Sequence, residues 1–124
     1  MKILLSIKPY YAEKIFSGEK KYEFRKILPR RIKVSTVVIY ATKPVGKVVG
    51  EFVIDSFITE TPSKLWIITK KHSGVSKKTY NQYFKGRKKA HAIVVKQVIR
   101  YETPFALNHL SPHLPAPQSF YYIG

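Results

Sequence analysis

The sequence predicts an α+β domain: about six strands with two or three short helices between them, curled into a small sheet or barrel. Short apolar runs rich in Ile and Val recur along the chain, helix-start signals fall between them, and Pro and Gly punctuate the junctions. At 124 residues the chain has room for one core, so residues 1–124 read as a single domain.

Ile3 to Ile7 suits a short buried strand. Lys8-Pro9 then opens a helix, since proline fixes φ in a first turn where its missing N–H costs nothing. Ala12, Ile15 and Phe16 follow at helical spacing, and Gly18 is placed as the C-terminal cap. From Lys20 to Arg25 the pattern alternates, with Tyr22 and Phe24 on one face and Lys21, Glu23 and Arg25 on the other. A basic loop leads to a second apolar run, Thr36 to Ala41, and the Gly46 to Gly50 turn enters a strand from Val48 to Phe57. Thr61-Pro62-Ser63 starts a helix, with Pro62 or Ser63 near the cap, whose buried side would be Leu65, Trp66 and Ile68. Ser76 caps another through Tyr83 and Phe84, Ala90 to Tyr101 suits a strand, and Ser119 to Ile123 a closing one after a proline-rich, loop-like tail.

Lys and Arg number 23 against 7 Asp and Glu, a net charge of +16. Such self-repulsion costs stability, and binding a polyanion is its usual use, because each neutralised phosphate releases condensed counterions. Cysteine is absent, which excludes disulfides, thiol nucleophiles and Cys-ligated zinc. The apolar start is too short for a signal peptide, and no stretch approaches the roughly eighteen apolar residues of a membrane span. A soluble, cytoplasmic protein with no membrane partner is expected. His109 and His113 stand four apart among prolines without an accompanying glutamate, so no metal site is expected and no cofactor is called for.

The junction from Gly18 to Arg25 is the most informative segment. Tyr22 and Phe24 would anchor a strand that aims Glu23 and Arg25 at the opposite face. Arg25 offers a planar fork for a phosphate or a base edge, and Glu23 can accept from an exocyclic amine or carry a proton. Parity does not orient Lys20, but a turn would bring it beside Glu23. From the spacing alone an ordinary salt-bridged surface strand is the weightier reading, since surface charge pairs are common and individually weak.

Read as Gly-x-Lys-x-x-Glu-x-Arg, Gly18, Lys20, Glu23 and Arg25 resemble the signature of the ASCH domain family, related to the PUA-like RNA-binding barrels. The flanks are similar too: Ser6-Ile7-Lys8-Pro9 before the helix, Tyr40-Ala41-Thr42 and Pro44 after it, and Ala116-Pro117-Gln118-Ser119-Phe120 near the end. The resemblance, which extends to small archaeal and bacterial members and over essentially the whole chain, implies a PUA-like β-barrel. It also implies a cleft lined by the signature Lys, Glu and Arg, and RNA as partner, single-stranded or structured, or a nucleotide. Family members are proposed RNA-binding regulators; some hydrolyse N4-acetylcytidine and another is a ribonuclease. In the hydrolase branch the position matching Glu23 is a threonine.

The expected RNA-binding residues are Lys8, Lys20, Glu23, Arg25, Thr42, Arg87, Lys88 and Gln118. Thr42 sits at a strand end where cleft residues gather, and Arg87 and Lys88 lie in a basic cluster beside Tyr80, Tyr83 and Phe84. Ser73, Gly74 and Ser76 are nearer to helix capping than to ligand. Two readings stay open: an RNA-binding module, or an enzyme acting on a nucleoside or RNA with Lys20 and Glu23 as catalytic groups. A scaffold for an acidic protein would need the charge alone.

Overall fold

Period-two alternation and the apolar runs become six strands, seen in a computed structural model that describes residues 1–30, 33–110, 115–117 and 120–123. The strands are β1 (Lys2–Ile7), β2 (Tyr22–Arg25), β3 (Thr36–Ala41), β4 (Lys47–Glu60), β5 (Ala90–Phe105) and β6 (Phe120–Ile123). Helix α1 (Pro9–Ser17) follows β1, and α2 (Pro62–Thr69) and α3 (Lys77–Tyr83) lie between β4 and β5. All strands form one sheet in the order β2-β5-β4-β3-β1-β6, in which only β1 and β3 run parallel. The long β4–β5 ladder slips register at Val48/Gly50, Val53/Ile54 and Ile54/Ser56. Each slip adds twist, and together they curl the sheet into a PUA-like half-barrel with β2 and β6 as its edges.

Strand β1 is apolar from Ile3 to Leu5 and again at Ile7 because both of its faces are covered. Ile3, Leu5 and Ile7 join Ala12 and Ile15 of α1 in one core, while Leu4 joins Val38, Tyr40 and Val48 in another. A third core under α2 and α3 holds Phe24, Leu65, Tyr80, Phe84, Ala90 and Ala92. Strand β2, at the sheet edge, sends Phe24 into that third core.

Several boundaries differ from expectation for local reasons. On α2, Ile68 is 50% exposed, and the buried stripe is Leu65 and Thr69 one turn apart, with the Thr69 hydroxyl donating to the Leu65 carbonyl. Thr61 is the cap there, its side chain accepting from the Lys64 N–H at 3.4 Å. Strand β5 runs past Tyr101 through Pro104. Beyond Val94 it no longer pairs with β2, so only β4 flanks it, and such a one-sided position tolerates proline. Among the described residues no helix is long and apolar enough to cross a membrane, and no three potential metal-ligating side chains cluster.

Candidate functional site

Where the first and third cores meet, α1, β2 and α3 leave a cavity of about 240 Å3. Pockets for drug-sized ligands run to roughly 300–1,000 Å3, so this one fits a single base or phosphate group rather than a long ligand. Ser6, Ile7 and Lys8 close it at the end of β1, and Tyr11 comes from the first turns of α1. Lys20, Glu23, Phe24 and Arg25 form its floor, and Val75, Thr79, Tyr80 and Tyr83 its far wall. The signature segment lies here because Gly18, at φ +88°, ends α1 in a left-handed cap and turns the chain directly into β2.

Lys20 is the least expected side chain of the site, with only 2% of its surface exposed. Its ammonium donates to the Ser73 carbonyl at 2.7 Å and lies 4.7 Å from the Phe24 ring centroid and 5.5 Å from that of Tyr11. One hydrogen bond and two ring faces replace a hydration shell, and no carboxylate pairs with it among the described residues. Loss of solvent therefore dominates. Burial brings its pKa down to about 8, Glu23 opposes the shift, and Lys14 and Arg25 add to it. Relative to an ordinary lysine at 10.5, holding this charge costs about 3 kcal/mol.

Glu23 turns to Arg25 instead of Lys20. Its Oε2 accepts from Arg25 Nε at 3.1 Å and lies 3.0 Å from Nη2, which also donates to the Ser6 carbonyl at 2.9 Å. The pair is 10% and 13% exposed at its side chains, so each partner is held rigidly by the other. Among the described residues Arg25 Nη1 and Glu23 Oε1 have no protein partner, and Ser6 Oγ is a buried polar atom with none. A guanidinium donor, a carboxylate acceptor and a hydroxyl are thus unfilled around one small cavity.

The other expected residues are dispersed. Lys8 is exposed and lines the cavity. Thr42 is half-buried in the turn after β3; its N–H donates to the Ile7 carbonyl at 3.1 Å, so it braces the cavity wall without lining it. Arg87 is exposed and donates to the Lys26 carbonyl at 2.9 Å, while the Lys26 ammonium lies 4.8 Å from the Tyr83 ring centroid. That contact sets a basic flank beside Tyr83, with Lys88 exposed near it in sequence. Gln118 lies outside the described residues.

Sequence reasoning passed over Tyr11 and Ser6 as site residues. Lys8 and Tyr11 are three apart at the start of α1, so helical spacing would have put them on one face. Nothing local marks Ser73 as the acceptor for Lys20, since 53 residues separate them. Ser76, by contrast, is a cap: its hydroxyl accepts from the Thr79 N–H at 3.1 Å.

Together the curled six-stranded sheet and the basic cleft at its β2 edge define a PUA-like α+β protein. The chain belongs to the ASCH family: the "ASCH domain" model matches residues 5–105. It is 30% identical over 122 residues to an ASCH domain-containing ribonuclease of Zymomonas mobilis, covering 97% of this chain and 82% of that one. The crystal structure of ASCH from Zymomonas mobilis superposes with a TM-score of 0.91 at 27% identity, covering 99% of this chain and 87% of that one. Identity reaches 37% over 122 residues of the large ribosomal subunit protein uL22 of Ureaplasma parvum, where 98% of this chain matches 39% of that one. The chain thus spans well under half the length of that relative. The N-terminal domain of Staphylothermus marinus McrB shares the fold alone, with a TM-score of 0.55 at 14% identity.

Proposed function

We propose that this chain binds single-stranded RNA and takes one nucleotide into the cleft between α1, β2 and α3. The observation that carries the reading is the set of unfilled polar groups in a small aromatic-walled cavity. Arg25 Nη1 donates to a phosphate or base acceptor, Glu23 Oε1 accepts from an exocyclic amine, and Tyr11 and Tyr83 flank the base. Lys8 and Lys20 supply charge on the same side, on a chain whose net charge is +16. The ribonuclease of Zymomonas mobilis supports RNA as the partner. The ribosomal relative does not by itself, because a similar segment also occurs in an ATP synthase subunit alpha at 33% identity.

RNA cleavage is the second reading, favoured by Lys20. An amine whose pKa is about 8 exists in both protonation states near neutral pH, as a group that gives or takes a proton must. Arg25 would neutralise charge growing on the phosphate oxygens. Glutamate at position 23, where the N4-acetylcytidine hydrolases carry threonine, argues against that third chemistry.

Anisotropy of a labelled single-stranded RNA over a salt series tests the binding. The expected log K falls linearly with log salt, by about 0.7 per phosphate contacted, and Arg25→Ala weakens it at least tenfold. Absent or salt-insensitive binding would overturn the reading. Incubating the same RNA, and N4-acetylcytidine, with wild type and Lys20→Met separates binding from turnover. Strand scission by wild type alone supports cleavage; intact substrates with both proteins leave binding standing.

A further inference from the structure

Beyond the cleft, an open groove of about 750 Å3 runs along the other side of the Ser73-Gly74-Val75 loop. Tyr10 and Lys14 of α1 line it, with Lys70, Lys71 and His72 of the single turn after α2. Main-chain bonds fix both sides to the start of β2. The Lys20 N–H donates to the Lys14 carbonyl at 3.0 Å, and the Lys21 N–H to the His72 carbonyl at 2.9 Å. The segment that carries the cleft's Lys20 thus also ties the two walls of the groove together. Val75 lines both, and the Lys20 stem lies against Gly74 while its ammonium serves the cleft.

The groove is basic and carries a displayed ring. Lys14, Lys70 and Lys71 face a single carboxylate, Glu19, which lies 4.0 Å from Lys14. Among the described residues Lys70 and Lys71 have no ion-pair partner. Tyr10 is 65% exposed, with the Lys14 ammonium 4.7 Å from its ring centroid. A lone exposed tyrosine needs no explanation. An exposed tyrosine in one groove with two lysines that lack an ion-pair partner, sharing Val75 with a nucleotide-sized cavity, has the make-up of a single-strand track, where cations hold phosphates and rings stack bases.

We infer that this groove is a second subsite, holding the nucleotide next to the one in the cleft through stacking on Tyr10 and phosphate contacts from Lys70 and Lys71. The inference rests on the RNA reading above. Residues 26 and 85–89 offer cations as well, but Arg87 is tied to the Lys26 carbonyl and none of them lines this groove.

The test compares a nucleoside monophosphate with a four-nucleotide single strand, on wild type, Tyr10→Ala, Lys70→Ala/Lys71→Ala and Arg25→Ala. Tyr10→Ala should weaken the oligonucleotide about tenfold, the loss of one stacked base, and Tyr10→Phe should restore it. The double lysine variant should lower the salt slope by about 1.4, two contacts at about 0.7 each. Neither should change binding of the monophosphate, which occupies the cleft alone. If both bind the oligonucleotide like wild type while Arg25→Ala loses it, the second subsite is wrong and the cleft reading survives. Equal loss of monophosphate and oligonucleotide would also refute it, because the variants would then be acting through the cleft. If wild type binds neither ligand, both readings fall together.

Discussion

Two Glu–Arg pairs in this molecule share their chemistry and differ in everything else. Arg100 and Glu13 form the better fork, with two hydrogen bonds of 2.8 and 2.7 Å, and the guanidinium packs 4.4 Å from the Phe16 ring centroid. Their side chains are 52% and 64% exposed, so water and salt screen the attraction. Arg25 and Glu23 are less well aligned, yet they are nearly buried, Arg25 also donates to the Ser6 carbonyl, and they border a cavity with a desolvated lysine. Geometry alone would select the wrong pair. What marks the second is a cavity bordered by a buried hydroxyl without a partner and by a lysine whose charge burial makes costly, a pattern that clusters at functional sites.

Substitutions should separate the pairs, beginning with the largest effect. Arg25→Ala leaves the Glu23 carboxylate buried without its cation, and should cost about 3 kcal/mol in a denaturant melt besides abolishing tight RNA binding. Gly74→Ala should cost about 2 kcal/mol and weaken RNA binding. At φ +70° an added Cβ is strained, and it would sit 2.5 Å from the Lys20 Cβ and Cγ, driving that side chain from its seat.

Lys20→Met should do the opposite to stability. Removing the charge relieves about 3 kcal/mol, and leaving the Ser73 carbonyl unpaired costs about 2, for a net gain of about 1 kcal/mol near pH 7. The sign of its pH dependence follows from the lowered pKa. Between about 8 and 10.5 the unfolded lysine holds a proton that the folded one has released, so in wild type this group adds stability as pH rises. The variant's advantage should shrink over that window in melts taken from pH 7 to 10. Arg100→Ala should be the smallest change, under about 1 kcal/mol, with RNA affinity intact.

Most of the fold was legible because it rests on local rules. The Pro9 start and Gly18 end of α1, the Ser76 cap of α3 and the period-two pattern of β2 each depend on a few adjacent residues. The strand ends were less so: β4 and β5 extend past their apolar runs because each supplies the other's hydrogen bonds. Within the site, parity put Glu23 and Arg25 on one face, and the family signature singled out Lys20. Its burial was not legible, since it depends on a carbonyl and a glycine more than fifty residues away. Nor was the bond it makes, because the expected partner, Glu23, is held by Arg25.

The most direct test is to follow backbone amide resonances while a single-stranded RNA is added. The account predicts shifts at Ser6, Lys8, Tyr11, Glu23, Arg25, Val75 and Tyr83, extending to Lys14 and Lys71, with Arg100 and strand β6 unmoved. Shifts confined to the exposed basic residues 85–89 or to Arg100, with the cleft amides still, would contradict it.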